Sequence, residues 1–209
     1  MSSPAHTVFN SHLPPKVVLA STSLIRRQLL LNAGLEFEVI APNIDESIEK
    51  KRLTEIPVAD IATRLAERKS LSLQKLAVST IVVGTDQIPV VDNHTLNKPE
   101  SLEEARQQLK LLRGKTHELH TAVVCSQNGV IVWRHKTVST LIMRNFSDPF
   151  LEKYLSQCGE DILSSVGAYK FEEKGVTLFE DITGDYFSIL GLPLLPLLGF
   201  LRQSGAMPA

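Results

Sequence analysis

Two short apolar runs rich in β-branched residues, Lys16–Ala20 (KVVLA) and Thr80–Gly84 (TIVVG), set the terms for any fold this chain can adopt. Each has the length and pattern of a strand buried on both faces, and such strands need helices over the sheet to cover them. The intervening sequence supplies those helices. Arg26–Ala33 carries an apolar stripe at Leu29, Leu30 and Ala33 and stops at Gly34. Asp60–Leu76 places Ile61, Leu65, Leu71 and Leu73 among charges, an amphipathic helix. Glu100–Leu112 and Asp148–Gln157 read as further helices, and Pro193 sits in the first turn of a leucine-rich C-terminal one. Glu36–Ala41 alternates as a strand, while Leu119–Cys125 and Val130–His135 form a hairpin around Asn128-Gly129 that Thr137–Met143 extends as a meander. The expected fold class is α/β with a mixed sheet.

Composition narrows the function. The 209 residues are 43% hydrophobic and 22% charged, enough chain for one large core without disulfides or a structural metal. A formal net charge of −1 argues against broad binding to nucleic acid or acidic membranes, which requires a clustered basic face. An anionic ligand must then be met by a few placed Lys and Arg side chains. The two cysteines, Cys125 and Cys158, have no metal-site spacing, and Cys125 in its apolar run reads as a core residue. Residues 1–15 are polar, with no basic n-region or apolar h-region, and are expected to be a disordered or extended segment before a single domain over 16–209. The charge-free stretch Tyr186–Leu201 is broken by two prolines and is shorter than the roughly 20 residues of a membrane span. A cytoplasmic location is the expectation.

Three segments could carry chemistry, each placed where a strand is expected to end, the usual ligand position in α/β sheets. In Ser21-Thr22-Ser23-Leu24-Ile25-Arg26-Arg27, hydroxyls precede a helix whose first turn holds two arginines. Arginine there opposes the helix dipole, so an anion site and a serine cap followed by solvated arginines are both open readings. In Val82-Val83-Gly84-Thr85-Asp86-Gln87, a carboxylate after an apolar strand can hold a divalent cation or take a proton from water; a turn-capping Asp is the plainer alternative. The third is Asn97-Lys98-Pro99, where proline fixes the lysine's direction, with Arg113-Gly114-Lys115-Thr116-His117 following. His117 and His120 lie three apart on an expected strand, hence on opposite faces, and cannot share an ion.

Together these segments resemble the Maf family of nucleoside triphosphate pyrophosphatases. The likeness runs from about Lys16 to Gln203 through LASTSLIRRQLL, NIDES (from Asn43), LAERKS (from Leu65), VVGTDQ, NKPESLEEARQQLKLLRGKTHELHTAV and SVGAYKFEEKGVTLFEDITGDYFSILGLPL, in order. The resemblance implies an ITPase-like mixed sheet with two lobes around a central cleft, often dimeric, so that a homodimer is expected. It implies house-cleaning hydrolysis of a nucleotide substrate to monophosphate and pyrophosphate with a divalent cation, Mg²⁺ or Mn²⁺. Within that pattern Asp86 corresponds to the catalytic aspartate, with metal binding an equal chemical role, and Asp45 to an acidic residue serving metal or water. Ser21, Arg26, Arg27, Lys69 and Lys98 become the phosphate contacts.

Substrate choice follows from three positions. One branch of the family, acting on dTTP and UTP, carries Arg, Thr and Gln where this chain has Ile25, Gln87 and Glu172; a second, resembling 7-methyl-GTP pyrophosphatase, carries Trp, Gln and Glu. Two of three match the second. A carboxylate can accept both N1–H and N2–H of guanine and is mismatched to the carbonyls of thymine and uracil. Ile25 offers an apolar wall in place of an aromatic that could stack on a cationic methylated base. Asn97 and Arg113 also depart from the family's usual Gly and Ser. 7-Methyl-GTP is thus the expected substrate, with dTTP/UTP or broader nucleotides as the alternative. Outside catalysis, the family's link to septum formation suggests a nucleotide-binding regulator of cell division.

Overall fold

A computed structural model describes residues 14–53, 56–73, 76 and 79–208. Most of the expected N-terminal segment therefore lies outside the described residues. The elements run β1 (Lys16–Ala20), α1 (Leu24–Asn32), β2 (Glu38–Val39), α2 (Glu46–Arg52), α3 (Val58–Leu71), β3 (Thr80–Val91), β4 (His94–Thr95), α4 (Leu102–Leu112), β5 (Thr116–Gln127), β6 (Val130–Met143), α5 (Asp148–Cys158), three short 3₁₀ turns, β7 (Phe179–Thr183), α6 (Tyr186–Ile189) and α7 (Leu194–Gln203). They build one seven-stranded mixed sheet in the order β2-β1-β3-β5-β6-β7, with β4 also on β3. The α/β class with a mixed sheet is as expected from the sequence.

β1 pairs in parallel with β2 and β3, and β3, β5, β6 and β7 pair antiparallel. The β5–β6 turn is made by Asn128 and Gly129, both at positive φ (54° and 72°), the primed geometry that suits a tight hairpin. Two expectations need correction. Val130–His135 and Thr137–Met143 are one continuous strand, β6, because Lys136 pairs with Ala122 without a break. The strand expected at Thr80–Gly84 runs on to Val91: the polar Thr85-Asp86-Gln87 interrupt the apolar pattern, but the ladder with β5 continues through Val90.

That extension defines the site. β1 accompanies β3 only as far as Ala20, opposite Gly84, and β4 takes up the same edge only at Val90. Between them, residues 85 to 89 present one edge of β3 without a strand beside it. Pro89 fits there because its carbonyl accepts Leu96 N–H on that side, so its missing N–H also faces the open edge rather than β5.

Side-chain alternation splits β3 between two faces. Ile88 and Val90 join Ala62, Leu65 and Ala66 of α3 on one face. On the other, Ile81 and Val83 join a cluster with α1 and α7, while Val91 joins a second cluster with α4, α5, Leu141 and Met143. Between these two cores on that face lie Thr85, Gln87 and Thr121, a polar seam.

Candidate active site

The turn after β1 is fixed by its own hydroxyls. Buried Ser21 accepts the Ser23 N–H through Oγ (3.2 Å), and Ser23 caps α1 by accepting the Arg26 N–H (3.5 Å). Arg26 then turns back over the open edge of β3. Its Nε donates to the Gly191 carbonyl (2.8 Å) and Nη1 to the Thr85 carbonyl (3.4 Å). Burial lowers the Arg26 pKa, and the charges of Asp86 and Glu46 oppose that shift. An arginine remains protonated under such conditions, so the guanidinium is a fixed positive charge beside the strand edge. Arg27, one residue on, is exposed.

On the other face of β3, α3 lies directly against the strand at Gly84. A Cβ there would stand 2.2 Å from the Ala66 carbonyl oxygen and 2.6 Å from the Ser70 amide nitrogen. This close approach delivers Lys69, only 4% exposed, to Asp86, 5% exposed: Nζ lies 2.5 Å from Asp86 Oδ1 and 2.9 Å from Glu46 Oε1 of α2. Asp86 Oδ2 is buried and has no hydrogen-bond partner among the described residues. A buried carboxylate oxygen without a donor is costly to maintain, and such positions mark functional sites. The arrangement leaves one oxygen of Asp86 anchored by an ammonium and the other open to a water or a cation.

Arg26, Lys69 and Asp86 are thus brought together by the fold, with Ser21 shaping the turn that carries Arg26. Arg27, Lys98 and Glu172 are exposed, and no side-chain hydrogen bond or ion pair among the described residues ties them to Asp86. Glu172 lies in the turn after Phe171, and Lys98 beside buried Pro99. Ile25 is half-buried against the core of α1 and α7. Asp45 stands immediately before α2, its Oδ1 accepting the Ile48 N–H at 3.1 Å. The carboxylate that reaches Lys69 is the next residue, Glu46, which sequence reasoning passed over although it stands in the same NIDES segment. Gln87 lies on the face opposite Asp86, its amide nitrogen 2.9 Å from Thr121 Oγ1, 2.9 Å from the Ser188 carbonyl and 3.1 Å from that of Ile189.

A divalent cation is compatible with these donors. Among the described residues no three His, Cys, Asp or Glu side chains converge as a metal cage. Asp86 Oδ2, with Glu46 nearby through Lys69, offers hard carboxylate oxygens in the small number that suits an ion completed by water and phosphate. His117 and His120 take no part. His117 Nε2 is 2.8 Å from the Tyr169 hydroxyl on one face, and His120 Nε2 is 2.7 Å from Glu118 on the other.

A mixed α/β sheet whose central strand carries a buried Asp, paired with a lysine from the helix above, beside an open edge with an arginine laid across it, frames a small polar site. Comparison with known proteins gives it a family: the Maf-like protein profile matches residues 16–204, and the chain belongs to that family. It is 44% identical over 194 residues to a nucleoside triphosphate pyrophosphatase of Hyphomonas neptunium, covering 92% of this chain and 98% of that protein. It is 46% identical over 199 residues to a nucleoside triphosphate pyrophosphatase of Rhodospirillum rubrum (94% and 98% covered). It is also 42% identical over 199 residues to a 7-methyl-GTP pyrophosphatase of Rhizobium meliloti (94% and 100% covered).

Proposed function

We propose that this chain hydrolyses a nucleoside triphosphate to the monophosphate and pyrophosphate, and that its substrate is 7-methyl-GTP or a related modified guanine nucleotide. The observation that carries the reaction is Asp86, with Oδ1 held by Lys69 and Oδ2 buried without a partner among the described residues. In the proposed reaction Oδ2 accepts a proton from water as the water oxygen bonds to the α-phosphorus. The bond from that phosphorus to the bridging oxygen breaks, and pyrophosphate leaves with its electron pair. Lys69 holds Oδ1 and so orients Asp86, and Arg26 meets the phosphates with Nη2, the guanidinium nitrogen not engaged by the Gly191 and Thr85 carbonyls. Arg27 and Lys98 are exposed cations suited to the outer phosphates. Mg²⁺ or Mn²⁺ held by the phosphate oxygens with Glu46 would neutralise phosphate charge and leave Asp86 Oδ2 to the water.

The guanine reading is supported by Glu172, an exposed carboxylate able to accept two N–H groups of the base, and by relatives named 7-methyl-GTP pyrophosphatase. The chain covers nearly the full length of those relatives. The deciding experiment is a screen of pyrophosphate release from 7-methyl-GTP, GTP, dTTP, UTP and CTP with Mg²⁺ or Mn²⁺. The highest kcat/KM is expected with 7-methyl-GTP. A preference for dTTP or UTP would overturn the guanine assignment, and nucleotide binding without any release would leave a binding protein in place of a hydrolase. Glu172→Gln is expected to narrow the gap between 7-methyl-GTP and UTP, measured as the ratio of their kcat/KM values.

A further inference from the structure

Three side chains of the polar seam hold one short segment of chain. Thr121, 1% exposed on β5, donates to the Ser188 carbonyl (3.0 Å) and accepts from Gln87 Nε2 (2.9 Å). The same amide nitrogen reaches the carbonyls of Ser188 and Ile189. Thr85 Oγ1 lies 3.0 Å from the Gly191 carbonyl oxygen and 2.9 Å from that of Ala122. Ser188 and Ile189 end α6 and Gly191 follows it; the Ser188 carbonyl also accepts the Gly191 N–H (3.0 Å), so the seam adds side-chain donors to a turn already closed by its backbone. The segment leaves α6 through Gly191 at φ +94°, where a Cβ would stand 3.0 Å from Arg26 Nε. The Gly191 carbonyl is the acceptor that fixes Arg26.

We infer that Thr121 and Gln87 are positioning residues for the triphosphate end of the substrate, holding residues 188–191 so that the Gly191 carbonyl aims Arg26 across the edge of β3. Gln87 then acts from the face opposite Asp86, through Arg26, rather than by touching the base. Its two amide protons serve three acceptors, which leaves no donor for a nucleobase. The inference rests on the proposed role of Arg26 as a phosphate contact.

The test is a double-mutant cycle between Thr121→Val and Arg26→Ala, read as affinity for inorganic pyrophosphate with Mg²⁺ by titration calorimetry on the full chain. Thr121→Val removes one hydroxyl while Gln87 still serves the Ser188 carbonyl, so the fold is expected to persist, checked by thermal melting. Loss of that hydrogen bond is expected to weaken pyrophosphate binding roughly three- to tenfold when Arg26 is present. The same change is expected to have no effect in the Arg26→Ala background. Thr121→Ser, which keeps the hydroxyl, is expected to restore binding. Independent losses in the two variants, an Arg26→Ala chain that binds as tightly as wild type, or a wild type that binds no pyrophosphate would each overturn the inference. So would a Thr121→Val chain with unchanged pyrophosphate affinity but an altered preference between 7-methyl-GTP and GTP, since the seam would then serve the base. Pyrophosphate binding needs no turnover. A coupled cycle in a chain that releases pyrophosphate from no triphosphate would support the positioning role while overturning the proposed hydrolysis.

Discussion

Asp86 and Lys69 form a buried ion pair. Both are nearly removed from water, and one carboxylate oxygen receives no donor from the described residues to offset its desolvation. If Asp86 is the base, Asp86→Asn should reduce pyrophosphate release by roughly 10²- to 10⁴-fold while nucleotide binding persists, measured by steady-state turnover beside calorimetry. Glu46→Gln should raise the Mg²⁺ concentration for half-maximal turnover, and by more than Asp45→Asn does, because Glu46 is the carboxylate on Lys69. The sequence reading chose Asp45 within the NIDES segment, whereas the carboxylate on Lys69 is its neighbour Glu46. Asp at the start of a helix is a capping residue, and here Asp45 accepts the Ile48 N–H. The choice between adjacent carboxylates depends on the direction of α2, which no local pattern encodes. Lys69 was legible through its motif alone, since nothing in an amphipathic helix says that a lysine on it will be buried.

At the scale of the element, β3 explains both what was readable and what was not. Its first half, apolar and β-branched, announces a buried strand; its second half does not, because Thr85, Asp86 and Gln87 have the composition of a loop. Those three residues stay in the ladder because each polar side chain finds a specific partner across the fold: Gly191 for Thr85, Lys69 for Asp86, and Thr121 with Ser188 for Gln87. Such partners are distant in sequence, so pattern alone stops the strand too soon. The contact of α3 on β3 is the mechanical link at this scale. Gly84→Ala would drive a methyl group into helix backbone, which cannot rotate aside as a side chain would. We expect a loss of about 1–3 kcal/mol in urea unfolding, together with a fall in turnover as α3 lifts Lys69 from Asp86. Normal stability and turnover in that variant would show that the helix re-seats freely.

For the molecule as a whole, the global stability carries a pH signature separate from the site. His117 is buried against Tyr169 and Phe179, its Nδ1 without a partner among the described residues. Burial lowers its pKa from 6.5 to about 4. The unfolded chain therefore takes up a proton near pH 6.5 that the folded chain refuses until about pH 4. Stability attributable to this residue is intact above about pH 6.5 and falls as the pH drops towards 4, by on the order of 3 kcal/mol in all. His117→Phe should flatten that part of the profile, seen as a smaller difference between urea midpoints at pH 4.5 and pH 7.

The long strands carry one more consequence. β3, β5 and β6 span 12, 12 and 14 residues, so each extends roughly 40 Å and lies beneath both apolar cores. They make a single beam under the two cores. Hinging the two cores apart would tear hydrogen-bonded ladders in the middle of the sheet. Room for a nucleotide must then come from what hangs over the beam: α2 with Glu46 on one face, and the turn bearing Glu172 on the other side of the strand edge. Asp86, Thr85 and Gln87 sit in the beam itself, so their mutual spacing is set by the β3 ladder whatever lies over it.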